Sequence, residues 1–230
     1  MKEFIGNSLF FGAALSLIAY EAGLLLKRKF KMAVFNPLLI AILCVIAVLK
    51  LLKIDYDAYN AGGKYISYLL TPATVCLAVP LYEQLTLLKK NLAAVAAGIF
   101  SGVVASLVSI LIFAKLFGLS HEEYVTLLPK SITTAIGMGV SEELGGIVTI
   151  TVAVIIITGV LGNMIAESVY KLARIHEPIA RGLGLGTSAH AIGTARAMEM
   201  GEIEGAMSSL AIAVAGLLTV VMASFFAGLA

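Results

Sequence analysis

The last 26 residues of the chain, 205–230, contain no charged side chain. A helix needs only about 20 mostly apolar residues to cross the hydrocarbon core of a bilayer. Further apolar stretches of comparable length occupy residues 4–26, 34–52, 62–88, 91–117 and 147–169. The pattern predicts an all-α polytopic membrane protein with about six to eight transmembrane segments.

The composition supports this class. Hydrophobic residues make up 60% of the chain and charged residues 13%, whereas soluble domains are about 45–50% apolar and about 25% charged. The net charge of +2 provides no basic face for nucleic acid. We therefore exclude an ordinary soluble enzyme and a nucleic-acid-binding protein.

The residues that usually form metal sites and disulfides are scattered. Cys44 and Cys76 lie inside apolar stretches, and His121, His176 and His190 are far apart in sequence. Neither a disulfide framework nor a metal site is expected from this spacing. No nucleophile–base motif is present, so we expect neither enzymatic activity nor a cofactor.

Basic clusters predict the orientation. The cluster at residues 27–31 is expected to end the first span sharply and to lie in the cytoplasm, because loops rich in Lys and Arg stay inside. This places the N-terminus outside a cytoplasmic membrane. Residues 53–61 are expected to form a polar loop and residues 171–181 a basic connector.

Local signals mark helix breaks and a helix start. Pro72 and Pro80 interrupt the stretch 62–88, and proline inside a helix breaks or kinks it. Ser120 is followed three residues later by Glu123, which is the pattern of a capping box at a helix start.

The segment 124–146 is too polar for a helix that faces lipid, and we expect it to be re-entrant. Pro129 suits the first turn of a half-helix, whose free N–H groups attract anions. A small-anion site is predicted at the side chains that follow, namely Lys130, Ser131, Thr133 and Thr134. The alternative is that Lys130 only extends to the membrane interface.

The segment 182–201 is a second polar stretch at membrane depth. On one continuous helix, Gly186, His190 and Gly193 would share a face. Further candidate substrate ligands are Ser188, Thr194 and Arg196. Alternatively, His190 makes a neutral bond between helices, and Arg196 pairs with Glu199 at the interface.

Two acidic residues and several glycines complete the candidate site. Glu142 and Glu143 could bind Na⁺ or a proton for coupling, or could be the solvated end of the re-entrant segment. Helix breaks are also predicted at Gly137 and Gly139, as well as at Gly186 and Gly193.

The chain is expected to be a single domain, 1–230, with two pseudo-repeats, 1–117 and 118–230. Each half contains a broken helix followed by an uninterrupted one, and transporters often place their substrate site between such inverted repeats. Small residues in 205–230 make a homodimer plausible.

Two strings are specific enough to indicate a family. LLPKSITTAIGMGVSEELGG (127–146) and GLGLGTSAHAIGTARAMEMGEIEGAMSSLAI (182–212) resemble the LrgB/CidB (YohK-type) family of membrane proteins. The resemblance runs from about residue 5 to the C-terminus. It implies an antiholin-like regulator of murein hydrolases and autolysis that acts with a holin-like LrgA/CidA partner. Plant relatives are plastidial glycolate/glycerate translocators, and some bacterial pairs are implicated in pyruvate uptake.

The resemblance thus leaves two functions. One is a carrier of small monocarboxylates, such as glycolate, glycerate or pyruvate, by alternating access. The other is an antiholin-like regulator without a substrate of its own. A carrier needs broken helices with convergent polar groups, and a holin-type pore does not, so the residue pattern favours the carrier.

Overall fold

The computed structural model describes residues 10–30 and 35–229. These residues form helices and loops, without a strand. They divide into two compact units, which meet between Cys76 and Leu77. The helices of the first unit are α1 (Phe11–Phe30), α2 (Pro37–Leu52), α3 (Tyr56–Ser67) and α4 (Leu70–Cys76).

In the first unit, α1 packs closely against α2 and α3. Gly23 of α1 lies against the backbone of Pro37, where a Cβ atom would come within 2.7 Å of the carbonyl oxygen. Ser16 and Tyr59 join α1 to α3 by a hydroxyl–hydroxyl bond of 2.7 Å. The Asn36 side chain caps α2 by accepting bonds from the first free N–H groups of that helix.

The second unit contains the long helices. They are α5 (Ala78–Glu83), α6 (Leu85–Lys90), α7 (Leu92–Phe117), α8 (His121–Leu127), α9 (Thr134–Glu143), α10 (Val148–Leu172), α11 (Pro178–Met200) and α12 (Glu202–Ala227). Buried side chains recur every three or four residues along α7, from Val95 to Ala114, and they form one core with residues of α8, α11 and α12.

Four helical stretches of the described residues are long and apolar enough to cross a membrane: α7, α10, α12 and the interrupted stretch Tyr56–Glu83. The fold is therefore that of an all-α membrane protein, as the sequence predicts. We name the two ends of the second unit by α7: the Asn91 side, where it begins, and the Gly118 side, where it ends.

Helices α8 and α9 form a first hairpin that enters and leaves on the Gly118 side. Thr151, in the first turns of α10, donates a bond of 2.9 Å to the carbonyl of Thr126 in α8, and its hydroxyl is also bonded to the hydroxyl of Ser141 in α9 at 2.7 Å. One residue thus holds both arms at the start of the next long helix. The prediction that segment 124–146 is re-entrant agrees with this geometry.

Helix α11 forms a second hairpin because its chain reverses at His190, whose φ of 41° and ψ of −136° are not helical. Arg181 and Met200 line the same small cavity, although a straight helix would separate them by about 28 Å. In α10, the Tyr170 hydroxyl donates to the backbone carbonyl of Arg181, in the arm before His190. Glu167 of α10 accepts a hydrogen bond from Arg196, in the arm after His190. This hairpin enters from the Asn91 side.

Several boundaries differ from the sequence predictions. The basic cluster does not end the first helix, since α1 continues through Lys27–Lys29 to Phe30. Basic side chains are favourable at a helix C-terminus, so the cluster completes the helix instead. The predicted polar loop 53–61 is helical from Tyr56, and the basic connector is short because α10 extends to Leu172 and α11 begins at Pro178.

The helix breaks agree with the sequence predictions only in part. The stretch 62–88 is interrupted just ahead of Pro72 and of Pro80, each of which is the third residue of a short helix, where a missing N–H costs little. The first hairpin's second arm begins at Thr134 and not at Pro129. The predicted breaks at Gly137, Gly139, Gly186 and Gly193 all fall within helical segments.

Candidate functional site

The tip of the first hairpin carries a lysine whose partners are hydroxyl groups. The partly buried Lys130 ammonium donates to Ser131 Oγ at 2.9 Å and to Ser106 Oγ, in the middle of α7, at 3.4 Å. The two serine hydroxyls are joined by a bond of 3.0 Å. The ion pairs between described residues outside this tip are Arg181–Glu204, Arg196–Glu167 and Arg196–Glu199, and none includes Lys130.

The second arm of the first hairpin begins beside this lysine. Thr133 is the N-cap of α9, with extended backbone and no side-chain capping bond. The first N–H groups of a helix have no partner within it, and they carry a partial positive charge. The Lys130 ammonium and the free N–H groups at the start of α9 are thus two sources of positive potential that lie four residues apart in sequence.

A buried hydroxyl network fixes the arms of this hairpin. Thr126, Ser141 and Thr151 are at most 2% exposed. The Thr126 hydroxyl donates to the carbonyl of Glu122 and accepts from the N–H of Ile147. With every member bonded, the network holds the hairpin rigidly at its base and leaves its tip to face the other elements.

The tip of the second hairpin is His190, which is 3% exposed. Its Nε2 lies 3.0 Å from the carbonyl oxygen of Ile155 in α10. Such a bond requires a proton on Nε2, because a carbonyl oxygen only accepts. The positive φ of a bulky residue is costly, and this buried bond holds the chain in the reversed conformation.

Small residues of α10 leave room for the chain reversal at His190. A Cβ atom on Gly159 would lie 2.7 Å from the His190 ring, and one on Gly162 would lie 2.5 Å from the Cβ of Ala189. Asn163 donates from Nδ2 to the carbonyl of Ile192 at 2.9 Å. This bond serves a backbone group close to the break, which lipid could not satisfy.

Ile155, which is fully buried, contacts both hairpins. Its backbone carbonyl meets His190, and its side chain fills the place that a Cβ atom on Gly137 of α9 would occupy. Two interrupted helices that enter from opposite sides thus come together about one third of the way along α10.

The other predicted ligands do not contact Lys130. Thr194 bonds to the carbonyl of His190 and to the hydroxyl of Ser208, and the exposed Ser188 bonds to the carbonyl of Gly184. Arg196 forms ion pairs with Glu167 and Glu199 toward the Asn91 side. The predicted single helical face for Gly186, His190 and Gly193 does not exist, because the chain reverses at His190.

The acidic residues are placed at the two ends. Glu142 and Glu143 are exposed in the last turn of α9. Glu204, which the sequence did not single out, is 6% exposed and lies 3.8 Å from Arg181.

The contribution of Ser106 was also not predicted, because a serine in an apolar stretch carries no signal until its neighbours are known. Across the described parts of the chain, no three His, Cys, Asp or Glu residues could hold a metal ion together.

These features define an all-helical membrane protein with two opposed helical hairpins around a lysine–hydroxyl site. The chain belongs to the LrgB-like family, whose model matches residues 16–229. It is 41% identical over 218 residues to proteins named "Antiholin-like protein LrgB" from Bacillus mycoides (strain KBAB4), Bacillus cereus (strain B4264) and Bacillus anthracis (strain CDC 684 / NRRL 3495). Each alignment covers 94% of this chain and 95% of the relative. No solved structure matches the chain.

Proposed function

We propose that this chain binds a small organic monocarboxylate between the two hairpin tips and carries it across the membrane by alternating access. The observation that carries the proposal is the Lys130 ammonium, whose partners are the hydroxyls of Ser131 and Ser106. A charge inside a membrane protein is expensive, and it is usually paired with an opposite charge or marks a functional pathway. A carboxylate ligand would supply that opposite charge.

The site suits a single carboxylate. Lys130 and Ser131 would donate to one carboxylate oxygen. The free N–H groups at the start of α9, from Thr134 onward, would donate to the other. One lysine balances one negative charge, which favours monocarboxylates such as glycolate, glycerate, lactate and pyruvate over dicarboxylates. The hydroxyl or keto group would face the second hairpin tip, where His190, Ser188 and Thr194 lie.

The hairpins also fit the mechanism. Transporters bind substrates at interrupted helices near the membrane centre, and repeats of opposite orientation open to the two sides in turn. The pair α7 with the first hairpin runs in the opposite sense to α10 with the second hairpin, so 92–143 and 148–200 are the units that we propose to be related by inversion. Arg196 would hold the second hairpin in place instead of binding substrate.

The charge distribution supports an orientation in the cell membrane. Lys89, Lys90, Lys171 and Arg174 lie on the Asn91 side, which the positive-inside tendency places in the cytoplasm. The Gly118 side, with Glu122 and Glu142, would be external. Glu142 or Glu143 would then meet the external solution and could bind a coupling proton or Na⁺.

The names of the relatives favour a second candidate. Proteins called antiholin-like share 41% of their residues with this chain along nearly its full length, and these names support a regulator of murein hydrolase export and autolysis more than they support a carrier. Such a regulator would act with a separate holin-like LrgA/CidA protein and would need no substrate site of its own.

Ligand binding separates the two candidates. We expect glycolate, D-glycerate, pyruvate or lactate to raise the melting temperature of the purified chain, with about 2.7 kcal/mol of stabilisation at 100 times Kd. Lys130→Met removes a charged hydrogen bond worth about 1.5–3 kcal/mol, so Kd should rise about 10- to 150-fold. Lys115→Met, at an exposed lysine near the end of α7, is the matched control and should bind normally.

Two results would contradict the proposal. A chain that none of the four acids stabilises, either alone or with its holin-like partner, contradicts the carrier and favours the regulator. Equal Kd values for wild type and Lys130→Met, with both proteins folded, contradict the site. Uptake of the binding acid into proteoliposomes that contain only this chain would distinguish a carrier from a protein that merely binds the acid.

A further inference from the structure

The first arm of the second hairpin packs closely against two helices and borders a groove on its third side. Against α12, a Cβ atom on Gly182 or Gly186 would lie 2.5 Å from a backbone oxygen. Against α10, Gly162 meets Ala189 just as closely. Toward α7, however, the same arm borders an open groove of about 590 Å³.

The groove runs lengthwise between α7 and the second hairpin. Asn91 and Glu177 line its end on the Asn91 side, and Ala105 and Thr187 line its deep end. Its floor on α7 consists of small residues, namely Ala94, Gly98, Ser101, Gly102 and Ala105. Two points of close approach narrow it, where Gly98 faces Leu183 and Gly102 faces Thr187.

The helical repeat connects this groove to the lysine site. Residues four apart share one face of a helix, so Gly98 and Gly102 are followed on the same face by Ser106. Ser106 is the residue of α7 that bonds to Lys130 and Ser131. The groove therefore leads, one helical turn beyond Gly102, to the hydroxyl that contacts the Lys130 ammonium.

We propose that this groove is the route by which the organic anion passes between the Asn91 side and Lys130, with Gly102 and Thr187 as its size-selecting constriction. The inference rests on the proposed function. Lys89 and Lys90 directly precede Asn91 at the open end and are exposed, and their two positive charges oppose the one negative charge of Glu177, which lines the entrance. The small residues of α7 keep the route open, because any larger side chain would fill it.

Thiol labelling tests the route independently of transport. The background is Cys44→Ala with Cys76→Ala, since the chain has only these two cysteines. Ser101→Cys places a thiol in the groove, and Phe100→Cys, at a side chain that is 52% exposed and outside the groove, is the control. An anionic, membrane-impermeant methanethiosulfonate should modify Ser101→Cys much faster than Phe100→Cys.

The outcomes separate the route from the site. If glycolate raises the melting temperature but Ser101→Cys reacts no faster than Phe100→Cys, the groove is not water-filled, so the route is overturned and the lysine site stands. If glycolate and the other acids shift no melting temperature at all, the proposed function fails, and the route fails with it.

A glycine pair tests the constriction. A Cβ atom on Gly102 would lie 2.7 Å from Thr187 Oγ1, whereas one on Gly98 would lie 2.9 Å from Leu183 Cδ1, the end of a flexible side chain. We expect Gly102→Ala to slow exchange about tenfold or more, with larger losses for pyruvate and glycerate than for glycolate, and Gly98→Ala to slow it less, because the end of the Leu183 side chain can move aside. Equal effects on acids of different size, or equal effects of the two substitutions, would overturn the role of Gly102.

Discussion

Gly193 offers a direct test of the reversal in the second hairpin. A Cβ atom added at Gly193 would lie 2.7 Å from the carbonyl oxygen of Leu185 and 2.7 Å from the Cβ of Ala189. In a straight helix, Leu185 would be about 12 Å away along the axis, and Gly193→Ala would be harmless. The clash with Leu185 therefore exists only if the two arms double back at His190.

The magnitude follows from a comparison with Gly139. Both glycines lie within helical segments, so alanine improves helix propensity by about 1 kcal/mol at either position. A Cβ atom on Gly139 meets nothing within 4 Å, whereas overpacking against a backbone atom costs about 1–3 kcal/mol. Because the propensity gain cancels, Gly193→Ala should be about 1–3 kcal/mol less stable than Gly139→Ala.

Thermal unfolding of the detergent-purified variants is the assay. For a chain of this size, the difference corresponds to about 2–12 °C in melting temperature, with Gly139→Ala at or above wild type. If Gly193→Ala raises the melting temperature as much as Gly139→Ala does, the arms are not in contact at this point. The hairpin, and the opposed arrangement of the two tips, would then be wrong.

Two further predictions concern the first hairpin. Thr151→Val keeps the side-chain shape but leaves the buried Ser141 hydroxyl and Thr126 carbonyl without their hydrogen-bond partner, which should cost about 1–3 kcal/mol of unfolding free energy. Thr149→Val, at an exposed neighbour, is the control, and equal stability of the two variants would contradict the network. Hydrogen bonds from the backbone and side chain of Ser120 lower the pKa of Glu123. The capping box therefore stabilises α8 fully at pH values above the ordinary pKa of a glutamate carboxyl, and this stabilisation is lost as the pH falls through the lowered pKa. Ser120→Ala should weaken this acid dependence in a pH series of melting temperatures, and an unchanged series would contradict the cap.

Local chemistry made several features predictable. The capping box at Ser120 forms as expected, because its bonds join residues three apart and need no tertiary context. The long apolar helices were likewise readable from length and hydropathy. The hairpin of α8 and α9 agrees with the expected re-entrant course of 124–146, which was inferred from its polarity and from the cytoplasmic placement of the basic residues that follow; its depth in a membrane stays a prediction.

The errors arose where contacts between elements decide the outcome. The sequence analysis treated 182–201 as one helix with glycine breaks, but the glycines are positions of close packing, and the reversal occurs at His190. A bulky residue with positive φ cannot be anticipated from propensity, because the bond to Ile155 and the space beside Gly159 come from another helix. The predicted repeats 1–117 and 118–230 and the predicted homodimer stay predictions.

By itself, the sequence determined that this protein is an all-helical membrane protein of the LrgB-like family and that Lys130 and His190 lie in its two polar segments. Composition and the length of the apolar stretches suffice for the structural class, since the bilayer admits few solutions to burying backbone groups, and the two polar strings indicate the family. Only the tertiary structure decided that Lys130 bonds to Ser106, that Arg196 pairs with Glu167, and that Ile155 contacts both hairpins. Such contacts depend on how separate helices pack, which no local pattern encodes.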